Sequence, residues 1–134
     1  MDVTPISRDG KTYCFVVRDG QGGPPPETTF LTPDDAIQQV GLVVHESGAE
    51  IQRHSHLPMT RTITGTPEVL VVRSGLCEID VYDDERSLIA TESLTPGDLV
   101  LILAGGHGFR ILESTVLLEV KQGPYFGAHE KEYF

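Results

Sequence analysis

His54-Ser55-His56 is where residue type and spacing first suggest chemistry. In an extended strand, side chains at i and i+2 share a face, with Cα atoms about 7 Å apart. Two imidazoles so placed can reach one metal ion. Read as a strand, AEIQRHSH over 49–56 puts Glu50, Gln52, His54 and His56 on one face and Ile51, Arg53 and Ser55 on the other. If Ile51 faces the only core, the histidines are two solvated surface groups. If the histidines face a cavity, that cavity is lined with ligand atoms, and Glu50 beside them is a candidate proton-transfer residue.

Other residues join them by spacing. Gly48 precedes His54 in the pattern G-x5-H-x-H, and Glu68 opens the pattern E-x6-G that ends at Gly75. GDLVLILAGGH, from Gly97, closes on His107 in a glycine-rich turn. Arg61, in the segment LPMTRTITGTP between His56 and Glu68, is either a solvated loop arginine or a clamp for a substrate anion, because guanidinium binds carboxylate and phosphate bidentately. Glu119 alternates with Lys121 on TVLLEVKQG. The pair reads either as an exposed ion pair of little energetic worth or with Glu119 aimed inward as a general base.

The elements that must position these groups are strands. Turn signals recur at short intervals between apolar runs: Ser74-Gly75, Asp83-Asp84-Glu85-Arg86, Thr95-Pro96-Gly97-Asp98 and Gly105-Gly106-His107-Gly108. That rhythm marks a β-sandwich or a closed barrel. Strands are expected over 12–18, 39–46, 49–56, 68–75 and 76–82, then in SLIATESL, LVLILA, FRIL and TVLLEVKQG. In LCEIDVY the alternation sends Cys77, Ile79 and Val81 to an apolar layer and Glu78 and Asp80 to water. The Gly/Pro-rich break DGQGGPPPE spans 19–27, and Thr32-Pro33-Asp34-Asp35 reads as the N-cap of one helical turn.

The 134 residues are one domain's worth of chain. With 10 basic against 20 acidic side chains the net charge is −10, which disfavours nucleic acid and anionic membrane as partners. No apolar run approaches the roughly 18 residues of a transmembrane helix. Cys14 and Cys77 sit in apolar runs without a CxxC spacing, so buried free thiols and a cytoplasmic location are expected.

These motifs resemble the cupin superfamily over about residues 38–121. Its first motif, G-x5-H-x-H-x3,4-E-x6-G, is matched at Gly48, His54, His56, Glu68 and Gly75, with a longer spacer before the glutamate. Its second, G-x5-P-x-G-x2-H-x3-N, is matched at Gly97, Gly105 and His107. There Leu103 replaces the proline, the histidine comes one residue early and Ile111 replaces the asparagine. The resemblance implies an all-β, double-stranded β-helix (jelly-roll) barrel in a single cupin domain. Residues 1–37 would pack on the barrel, 38–121 would form it, and 122–134 would be a tail. It further implies a divalent transition metal held by His54, His56, Glu68 and His107. Such a donor set suits Fe, Mn, Ni, Cu or Zn, and an open position would make the ion a Lewis acid.

The functional expectation is a metal-binding protein that acts on or binds a small organic molecule of the sugar or organic acid class. An isomerase or epimerase, a dioxygenase and a non-catalytic binding module are the alternatives, since jelly rolls host all of them. The resemblance also implies a homodimer.

Overall fold

The computed structural model describes residues 1–20, 23 and 25–134. Among the described residues ten strands form: β1 (Asp2–Arg8), β2 (Lys11–Arg18), β3 (Thr29–Phe30), β4 (Gly41–Leu42), β5 (Glu68–Ser74), β6 (Cys77–Tyr82), β7 (Leu88–Leu94), β8 (Leu99–Ile102), β9 (Gly106–Ile111) and β10 (Val116–Lys121). The helical element among the described residues is one 3₁₀ turn at Gly127–Glu130. Among the described residues no helix is long and apolar enough to cross a membrane, which says nothing of a membrane β-barrel.

All pairings are antiparallel. One sheet has the order β1-β2-β8-β5-β10, a second β7-β6-β9, and β3 and β4 form a separate ribbon. The core lies between the two larger sheets. Cys14, Val16, Leu70, Val72, Val100 and Ile102 face it from one side, and Cys77, Ile79, Val81 and Leu94 from the other. Cys77, Ile79 and Val81 are fully buried, as their alternation requires. Both thiols are free and buried, and burial pushes that of Cys14 up to about 12, which makes it inert. The architecture is therefore an all-β pair of packed antiparallel sheets.

Three expectations change. The strand expected over 39–46 shrinks to Gly41–Leu42, and the one over 49–56 does not form. The reason is burial: residues 51–62 are all exposed, so the polar face gains nothing by pairing and Ile51 alone cannot hold a strand in a sheet. The helical turn at Thr32 is also absent. The Thr32 hydroxyl accepts the N–H of Val40 at 3.2 Å, and Ala36 N–H closes a turn on Pro33 C=O. Residues 21, 22 and 24 of the Gly/Pro-rich break lie outside the described residues.

The two N-terminal strands are members of the large sheet. β2 lies between β1 and β8, with Cys14 opposite Ile102 and Val16 opposite Val100. Asp9-Gly10, both at positive φ, turn β1 back onto β2. Pro5 is tolerated in β1 because that strand is an edge.

Candidate functional site

The inner face of β5 runs Glu68, Leu70, Val72, so alternation that buries two apolar residues also buries a carboxylate at the strand's start. The register of β10 on β5 sets Lys121 directly opposite Glu68 and Glu119 opposite Leu70. On the facing sheet His107 is paired with Val81 and shares its inward face. The two sheets thus bring Glu68 and His107 together at one end of the core. His107 Nε2 lies 3.3 Å from Glu68 Oε2.

Lys121 Nζ lies 3.8 Å from Glu68 Oε1 and 2.7 Å from Glu119 Oε1, and 4.7 Å from the centre of the Tyr125 ring. Chiefly through the hydrogen bond to Glu119, its pKa is raised and it stays an ammonium. Burial pulls the pKa of His107 below its ordinary value, against the opposing pull of Glu68. At neutral pH the imidazole is accordingly uncharged and Lys121 is an ammonium.

Gly105 aims His107. It has φ +70°, and a Cβ there would collide with the Tyr82 carbonyl oxygen, so the turn into β9 requires glycine. The cluster opens on a cavity of roughly 690 Å³, whose walls include Glu68, Leu103, Gly106, His107 and Lys121 and whose rim is the segment 130–134. That is room for a small organic molecule.

The other expected site residues lie elsewhere. His54 and His56 stay together, ring centres 5.4 Å apart and edge to face. Both are exposed, and His54 Nδ1 is 2.9 Å from the Gln52 carbonyl. Glu50 is exposed, and so is Arg61, with its guanidinium 4.0 Å from Met59 Sδ. Among the described residues none of these four lines the cavity. The four expected metal donors therefore form two pairs, His54 with His56 and Glu68 with His107. No group of three or more His, Cys, Asp or Glu is arranged to hold an ion among the described residues. In this arrangement the donor set does not fit a bound metal, because one nitrogen and one oxygen are not a complete shell.

The sequence marks Lys121 only as the partner of Glu119. Its place is a consequence of the β5–β10 register, which no local pattern encodes. Arg86 and Phe134, which also line the cavity, carry no local pattern that would mark them.

Compared with family models, with curated proteins and with solved structures, the chain matches none.

Proposed function

We propose that the chain is a small-molecule protein of the cupin kind. In this reading the two packed sheets are a jelly-roll barrel, and the cavity at Glu68, His107 and Lys121 takes a sugar or organic acid. One observation carries it: a buried carboxylate, an imidazole and an ammonium converge at the end of an otherwise apolar core. Buried ionisable groups cost stability unless they are paired or used. The ammonium suits a carboxylate or hydroxyl of the ligand. The Glu68–His107 pair suits proton transfer, with His107 accepting a proton and Glu68 holding the imidazolium that results. That chemistry favours isomerisation or epimerisation over oxygen insertion.

A metal enters this reading through the motif resemblance alone, and none of these steps uses one. A metal-dependent version would require His54 and His56 to join Glu68 and His107. Elemental analysis of protein purified without added metal, on wild type, His54→Ala and His107→Ala, tests that version directly.

The reading also includes pairing of two copies through β10, the edge of the large sheet. Val116, Leu118 and Val120 are each more than half exposed there. A two-fold antiparallel register centred on Leu118 would oppose Val116 to Val120 and Leu118 to itself. Glu119 would face Leu117, so no like charges would be opposed.

A thermal-shift panel of sugars and organic acids tests the central proposal. A ligand that stabilises wild type should lose its effect in Glu68→Gln and His107→Gln and keep it in His54→Ala. Deuterium exchange from solvent into a carbon-bound position of that ligand separates catalysis from binding without turnover.

A further inference from the structure

One corner of the cavity is filled by the chain itself. The Phe134 ring meets Tyr82 edge to face, centres 5.3 Å apart and planes at 90°. The Arg86 guanidinium carbon lies 5.1 Å from the same ring's centre. Arg86 Nη2 also holds Glu132 Oε2 at 2.7 Å. Beneath the ring is Gly106, where a Cβ would come within 2.6 Å of Phe134 Cζ, so the close approach depends on glycine. One arginine therefore receives a benzene ring and a carboxylate together. A planar guanidinium suits this, since its face attracts a π system and its edge donates to an anion.

The segment is laid on the corner and not built into the core. Phe134 keeps 62% of its surface exposed, and Glu132 is exposed as well. Contacts of this kind are individually weak, so a ligand offering the same two groups can displace them.

We infer that the corner formed by Tyr82, Arg86 and Gly106 is a subsite for an arylalkyl carboxylate, occupied in the absence of ligand by the chain's own Phe134 and Glu132. The inference rests on the reading of the cavity as a ligand site and narrows its organic acids to aromatic ones. The ring of the ligand replaces Phe134, and its carboxylate replaces Glu132 on Arg86. The remainder of the molecule is directed along the cavity toward His107.

The test is titration with phenylacetate, followed by calorimetry and by NMR of backbone and aromatic groups. Phe134→Ala removes the internal competitor and should bind phenylacetate several-fold tighter than wild type. Adding Arg86→Gln to Phe134→Ala should abolish that gain. Cyclohexylacetate, without the π face, and phenylacetamide, without the charge, should both bind more weakly. Shifts should centre on Tyr82 and Gly106. Equal or weaker binding by Phe134→Ala overturns the inference, and so does equal affinity for cyclohexylacetate. If phenylacetate fails while other acids or sugars give His107-dependent stabilisation, the subsite is wrong and the proposed site stands. If phenylacetate binds at Tyr82 as predicted but no ligand depends on Glu68 or His107, the subsite stands and the proposed chemistry falls.

Discussion

Glu68 and His107 belong to different sheets, thirty-nine positions apart in sequence, and meet at 3.3 Å across the end of the core. Each arrives by ordinary alternation, one ahead of Leu70 and Val72, the other beside Val81 and Phe109. The site therefore sits at the edge of the core, with Glu68 buried and His107 exposed.

Core and surface isoleucines should respond very differently to truncation. Ile79 is fully buried between the sheets and Ile51 is 64% exposed. Ile79→Ala should cost about 2–5 kcal/mol through lost burial and a cavity, and Ile51→Ala should stay within about 0.5 kcal/mol. Urea denaturation of the two variants measures both. Equal losses would mean that 49–56 is part of the core after all.

Gly105→Ala should distort the turn that aims His107. The positive φ and the Tyr82 carbonyl both oppose a side chain there. A loss on the order of 1–3 kcal/mol is expected from the backbone strain, accompanied by changed NMR shifts at His107. An unperturbed His107 would show that the turn has other ways to place it.

These residues show where the sequence was legible. β5, β6 and β8 could be read because each carries apolar side chains on one face that demand burial, with Gly75 and Gly97 in the turns that bound them. β10 could be read from its apolar alternation, although Val116, Leu118 and Val120 end up more than half exposed. The His-x-His segment carries the same period without an apolar face, and it stays outside both sheets. β1 was overlooked although Asp9-Gly10 is a strong hairpin signal; Pro5 masked it. Glu68 and His107 were found by motif spacing, whereas the partnership of Lys121 with Glu68 depends on which strands pair and in what register. That is settled by global packing, not by a local pattern.

Acid should weaken the fold partly through Asp83. Its carboxylate accepts hydrogen bonds from Arg8 and from the backbone N–H groups of Ser87 and Glu85. These bonds, that of Arg8 foremost, hold its pKa below the usual aspartate value. A folded pKa below the unfolded one gives stability that is present above the unfolded value, about 3.9, and is lost as pH falls through the folded one. Asp83→Asn should therefore narrow its deficit against wild type as pH drops below about 4. A deficit independent of pH would mean that the charge is not what holds the turn.

Leu118→Lys should convert a paired protein to single chains, because it sets two ammonium groups opposite each other at the centre of the β10 register. Analytical ultracentrifugation reads this, with Leu57→Lys, a change at an exposed residue outside β10, as the control. A wild type that sediments as a single chain, or a Leu118→Lys dimer, would contradict the β10 pairing.

Chemical-shift mapping of a stabilising ligand on the full chain tests the central claim most directly. The account predicts that perturbations cluster at Glu68, Gly106, His107 and Lys121 and vanish in His107→Gln, which still folds. Perturbations confined to Glu50, His54, His56 and Arg61 would contradict it and move the site to the exposed histidine segment.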